Sequence, residues 1–187
     1  AGILALLSFA LWPVFLTKLG QEWGLTNTDI GWISGAYFFG YLIATPVLVG
    51  FTDRVDARLV FLGGCAFSSV GCFLFATNAV NFWSAAMAWM LVGAGLAGTY
   101  MPGLQILNAR LNDSARVRAV PWYTACFGIG TGGSFAVMGV VLAYADYRLA
   151  ALIGSVGAFI GALLILLFVQ PHAAQSFSGT QEKRHPL

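Results

Sequence analysis

Charge is what this sequence has least of. Asp, Glu, Lys and Arg make up 9% of the 187 residues, while 59% are hydrophobic. A water-soluble domain carries about 25% charged residues, because its surface faces water. This chain has too few to cover such a surface, so its outer face must meet lipid. The net charge of +2 gives no basis for a nucleic-acid partner, and none is expected. Cysteine is also sparse: Cys65, Cys72 and Cys126 all fall inside apolar runs. They have neither metal-ligand spacing nor the even number of a disulfide scaffold, and read as small buried hydrophobes. Both histidines, His172 and His185, lie in the polar tail. With no Ser–His–Asp set, metal cluster or catalytic carboxylate pair in the apolar runs, no enzymatic activity, cofactor or metal site is expected. No signal peptide is visible. The chain opens at Ala1 already inside an apolar run, so the expectation is a fragment with a clipped first helix.

What is abundant is long apolar runs and glycine, with 23 residues of the latter. A spanning helix needs about 20 apolar residues to cross about 30 Å of hydrocarbon. Six runs fit an all-α bundle over residues 1–170, with spans predicted at about 1–16, 30–51, 59–76, 82–107, 119–144 and 149–169. Lipid-facing strands are excluded, because they are about 10 residues long and alternate apolar with polar residues. Thr28 and Asp29 are placed to cap the second span, and Pro121 falls in the first turn of the fifth. Pro46 and Pro102 predict kinks. Gly31/Gly35, Gly128/Gly132 and Gly157/Gly161 have the four-residue spacing of close helix contacts. Trp12, Trp83 and Trp122 fall near span ends, as an aromatic belt would. Residues 171–187 turn polar and read as a cytoplasmic tail or the start of a linker.

Lys and Arg set the orientation. One set of loops and the tail hold Arg54, Arg58, Arg110, Arg116, Arg118, Lys183 and Arg184, against Lys18 and Arg148 on the other side. Positively charged loops stay in the cytoplasm. Both ends of the segment are therefore expected there, in a plasma (inner) membrane.

The loop Gly50-Phe51-Thr52-Asp53-Arg54-Val55-Asp56-Ala57-Arg58 crowds two carboxylates and two guanidiniums into a tight turn beside lipid. Ion pairs there are stronger than fully solvated ones. The bland reading is a topology marker with solvated charges. The loop also resembles the signature loop of the major facilitator superfamily: Asp53, Arg54 and Arg58 match it, Val49 and Asp56 stand where that family has glycine, and Ala57 replaces a basic residue. The resemblance covers the whole chain. Gly93-Ala94-Gly95-Leu96-Ala97-Gly98 is similar to the family's glycine-rich fourth helix, and Asp146-Tyr147-Arg148 to the turn opening its sixth. Trp89 occupies the place of an Arg often linked to proton coupling, so that role does not carry over. Charge is absent from the middle of all six spans, so this half offers no coupling carboxylate.

The resemblance implies an N-terminal six-helix half, with Asp53, Arg54 and Arg58 as a gating latch; Asp113, in the charged turn before the fifth span, is expected to pair with Arg54 or Arg58 across the cytoplasmic face. The resemblance also implies that helices one, two, four and five line a central cavity. Tyr37, Tyr41, Tyr100, Gln105 and Tyr123 are then candidates to contact substrate; the competing reading is an interfacial belt or interhelix hydrogen bonding. The expected function is secondary transport of a small solute, with the bilayer, that solute and a missing C-terminal six-helix half as partners. The alternative is a six-span scaffold or accessory subunit that transports nothing.

Overall fold

The computed structural model describes residues 1–52 and 54–171, and all its regular elements are helices. They are α1 (Gly2–Ala5), α2 (Leu11–Glu22), α3 (Asn27–Thr52), α4 (Ala57–Asn78), α5 (Phe82–Asn108), α6 (Asp113–Tyr144) and α7 (Tyr147–Phe168). Helices α3 to α7 are each long and apolar enough to cross a membrane. Large apolar side chains cover their outer faces, with Trp83, Trp122 and Leu167 each more than 70% exposed. The molecule is an all-α membrane bundle.

The run predicted as a first span is divided. α1 stops at Ala5, and α2 starts at Leu11 and continues to Glu22. Between them the backbone winds more tightly, with Phe9 N–H donating to Leu6 O (2.9 Å) and Leu11 N–H to Ser8 O (3.1 Å). Pro13 supplies a reason. In one unbroken helix it would sit in the interior, without its hydrogen bond and against the carbonyl four residues back. Restarting at Leu11 puts it in a first turn, where no N–H is needed. α2 ends in a glycine-terminated cap: Leu25 N–H donates to Gly20 O (2.9 Å), and Gly24 takes a positive φ of 63°.

Local capping explains most other boundaries. Thr26, rather than Thr28, caps α3: its hydroxyl accepts from Asp29 N–H (3.2 Å), while the Asp29 carboxylate accepts from Thr26 N–H (2.9 Å). Asn81 and Ser84 form the same reciprocal box at α5. Asp146 accepts from Leu149 N–H (3.0 Å) at α7. Asn112 accepts from Ala115 N–H (3.1 Å) and starts α6 at Asp113, before the apolar run. Pro121 therefore lies inside α6 rather than in its first turn.

α5 is the centre, packed between α3 and α4; α7 lies against α4, and α1 and α2 bridge α6 and α7. Over an apolar 18-residue stretch of each helix, half of α4 and of α5 is buried, against 18% for α3 and 22% for α6. Lipid removes the hydrophobic drive for helices to associate, so close backbone packing must hold them. Glycine provides it. A Cβ on Gly64 would lie 2.5 Å from the Gly98 carbonyl carbon, and one on Gly95 2.6 Å from Ser68 N. On the α3–α5 seam, a Cβ on Gly93 would fall on the Tyr37 carbonyl oxygen and one on Gly40 on that of Met90. Of the spaced pairs expected from sequence, Gly157 and Gly161 do pack, against α1. Gly31, Gly35, Gly128 and Gly132 meet open space among the described residues.

Aromatic rings fill the rest of the core. Phe75 sits among Trp12, Trp23, Trp89 and Tyr147, with ring centroids 5.9 to 6.4 Å away. Trp12 is 1% exposed, so it is a core residue and not part of a belt. The restart of the helix turns it inward. Tyr147 donates its hydroxyl to Ala79 O (3.0 Å) and ties the start of α7 to the end of α4.

The α4–α7 seam also carries a polar clasp. Ser69 Oγ and Ser155 Oγ lie 3.1 Å apart, and Ser155 Oγ donates to Ser69 O (2.9 Å). Replacing both serines by alanine is expected to lower stability by about 1 kcal/mol, typical of hydrogen bonds between membrane helices. Chemical unfolding of the full-length protein in detergent checks this, and an unmoved midpoint would assign the clasp no stabilising role.

Candidate functional site

Two regions of the bundle bring chemistry-bearing side chains together. The first is a cleft between α1, α5 and α6, lined by Leu6, Leu96, Thr99, Tyr100, Tyr123 and Phe127 among others. Tyr123 donates its hydroxyl to the Tyr100 carbonyl (2.7 Å), and the two rings lie 5.8 Å apart. The Phe127 ring stands edge-on to Tyr100 at 5.0 Å. A cavity volume of about 30 Å³ admits water but no solute in this conformation. Pro102 belongs to the same neighbourhood: it has no N–H to bond Gly98 O.

Tyr37 lies deeper. It is 5% exposed and packs at a tilt against Trp89 at 5.1 Å, with Phe9 edge-on at 6.0 Å. It walls two further clefts, one with Phe9, Leu6 and Leu96, the other with Trp12, Ser34 and Phe38. Three of the five sequence-predicted contact residues, Tyr37, Tyr100 and Tyr123, therefore lie along this set of clefts. Tyr41 and Gln105 are partly buried on α3 and α5 but are not among the lining residues described. Trp89 explains why an Arg at its position would fail: it is 2% exposed among rings, where a guanidinium would have no compensating partner.

The second region is the arginine-bearing end. Asp56 caps α4, accepting from Arg58 N–H (3.0 Å), which accounts for a carboxylate where the family pattern has glycine. Arg58 Nη2 donates to Leu166 O (2.6 Å), and Arg110 Nη2 donates to Gln170 O. Two arginines, one from the first turn of α4 and one from the α5–α6 loop, thus satisfy carbonyls at the exit of α7, where a helix end is short of donors and favours cations. Asp113 pairs within its own helix with Arg116 (3.4 Å), not with Arg54 or Arg58. The i, i+3 spacing brings Arg116 to it without crossing the bundle. Arg116 also donates to Asn108 O (2.9 Å), joining α5 to α6. Arg54 is exposed in the α3–α4 turn. Asp53 and the tail beyond Pro171 lie outside the described residues.

One buried polar contact across the bundle was not foreseen from sequence. Ser134 on α6 is fully buried; its hydroxyl donates to Leu7 O (2.6 Å) and accepts from Ala10 N–H (2.9 Å). It supplies the partners that the break between α1 and α2 leaves wanting. Pro13 in the middle of an apolar run was the available signal for the break, and nothing in the sequence points to Ser134 as its partner.

Close glycine seams, a tyrosine-lined cleft beside a broken helix and a cationic end define a polytopic helical membrane protein built around an internal cleft. The chain belongs to the major facilitator superfamily: the sequence profile described as Major Facilitator Superfamily matches residues 1–187. It is 25% identical over 182 residues to "Probable sphingolipid transporter spinster homolog 1" of Arabidopsis thaliana, covering 90% of this chain and 34% of that protein. It is 32% identical over 102 residues to "Quinolone resistance protein NorA" of Staphylococcus aureus, covering 54% of this chain and 25% of that protein. The chain thus spans about a third or less of the length of these curated relatives.

Proposed function

We propose that this bundle is the N-terminal half of a secondary transporter that moves a small solute by alternating access against a second six-helix bundle. The observation that carries the reading is the tyrosine-lined cleft between the broken first segment, α5 and α6, in a chain of this superfamily. A site between packed helix bundles is where such transporters hold their solute. Tyr37, Tyr41, Tyr100, Gln105 and Tyr123 contact the solute in this reading. The relatives' names, a transporter and a resistance protein, agree with it.

Asp53, Arg54, Arg58 and Asp113 form the gate. Arg58 holds the α7 carbonyl with one nitrogen, while its buried Nε has no hydrogen-bond partner among the described residues. That spare donor suits a residue that changes partners between two conformations. In this reading both ends of the segment are cytoplasmic, supported by the excess of Lys and Arg on one side, and the membrane is the plasma (inner) membrane.

The test is flux through proteoliposomes containing the full-length protein, across a panel of organic cations, sugars, lipids and aromatic compounds. At least one solute is expected to cross saturably. Arg58→Glu should slow that flux about tenfold while leaving solute affinity within about twofold, as a defect in the conformational step would. Flux no faster than in empty liposomes across the whole panel overturns the reading.

A further inference from the structure

Between α2, α3 and α5 lies an aromatic crevice of about 170 Å³. Its walls include Phe9, Trp12, Ser34, Tyr37, Phe38 and Trp89. We infer that it receives one aromatic ring of a solute. The inference rests on the transporter reading for how a solute arrives, and on the crevice alone for what it binds.

Two polar side chains of the crevice, Trp12 and Ser34, are already engaged with each other. Trp12 Nε1–H donates to Ser34 Oγ (2.9 Å), and Ser34 Oγ–H in turn donates to Ile30 O (2.8 Å). No charged side chain is among the lining residues described. What the crevice offers is ring surface. Tyr37 and Trp89, 5.1 Å apart and inclined at 36°, make one wall. Phe38 and Phe9 stand almost perpendicular to Tyr37, at 82° and 87°. An entering ring finds faces on one side and edges on another, the arrangement aromatic groups prefer.

Size limits the occupant. An apolar cavity of about 150 Å³ holds benzene, whereas drug-sized ligands need about 300 Å³ or more. The crevice therefore takes a single ring system, and the rest of the molecule extends past Phe38, which is 63% exposed. The position is also fitting. Phe9 and Tyr37 are shared with a closed cleft, which shares Leu6 and Leu96 with the Tyr100–Tyr123 cleft. The three clefts form one string along the broken first segment, and the Phe9–Tyr37 contact closes the passage between its two ends.

Photolabelling of the full-length protein in nanodiscs tests this, using a naphthalene probe that carries a diazirine. Label is expected on peptides containing residues 9–16 and 34–38. Excess 2-naphthylmethanol should suppress it, and the saturated decalin analogue should not. Phe38→Ala, at an exposed site with little folding risk, should reduce the labelling about fivefold, the size of one aromatic contact. Label spread evenly over the lipid-facing helices, equal competition by the decalin analogue, or undiminished labelling of Phe38→Ala overturns the inference. Crevice labelling without flux of any solute would uphold the crevice and reject the transporter reading; flux without crevice labelling would do the reverse.

Discussion

Replacing Gly93 by alanine is expected to lower the stability of the bundle by about 3 kcal/mol or more, the upper range for overpacking a close contact. The added methyl would occupy the position of the Tyr37 carbonyl oxygen, and that backbone atom cannot rotate away as a side chain could. α3 would have to move off α5, pulling Tyr37 from its ring contact with Trp89. Gly40→Ala is expected to act alike, because its methyl meets the Met90 carbonyl on the same seam. Once either change has parted the helices, the second has little left to disrupt, so the double mutant should cost less than the sum. Gly63→Ala is the control: its Cβ meets nothing within 4 Å, and alanine is favoured over glycine in a helix by about 1 kcal/mol. Thermal unfolding of the full-length protein in detergent separates these outcomes. A Gly93→Ala midpoint within about one degree of wild type would mean that the seam does not hold α3 to α5.

Which glycines matter was only partly legible in the sequence. Four-residue spacing marks a stripe on a helix but does not say whether a neighbour lies over it. Gly31 and Gly35 form such a stripe on α3 and meet nothing, while Gly40, on the same helix without a glycine partner, carries the contact. The run from Gly93 to Gly98 stood out through its likeness to a family pattern, and three of its members are packing contacts. Helices α3 to α7 were legible because each is a long apolar run closed by polar residues. Their starts shifted where a side chain beyond the run caps the helix: Thr26 for α3 and Asn112 for α6. For the site, the family resemblance pointed to Tyr37, Tyr100 and Tyr123 as candidates. It could not tell that Tyr37 is a buried wall and Tyr123 a partner of the Tyr100 carbonyl, because both roles depend on other helices. The Asp113 pairing failed for a related reason: charge sign and sidedness are readable from sequence, but Arg116 one turn away is nearer than any loop.

Ser134→Ala should cost about 2 kcal/mol, roughly twice the effect of removing the Ser69–Ser155 clasp, because it strands two backbone groups at once. Leu7 O and Ala10 N–H face each other across the break, and Ser134 Oγ is the atom that bridges them. Water reaches neither easily, since Ala10 and Ser134 are fully buried. The damage should be local as well as global. α6 is held to the bundle largely through α1 and α2, so loss of the bridge loosens α6 and the Tyr123 side of the cleft together. Hydrogen exchange reads this directly: the amides of residues 9–11 are expected to exchange at least about tenfold faster in Ser134→Ala, while those in the α4–α5 seam keep their protection. Ser134→Cys, whose thiol is a weaker donor and acceptor, should fall between alanine and wild type. If exchange at residues 9–11 is unchanged in Ser134→Ala, the break is held by the Pro13 geometry alone, and Ser134 is only a small residue filling space beside it.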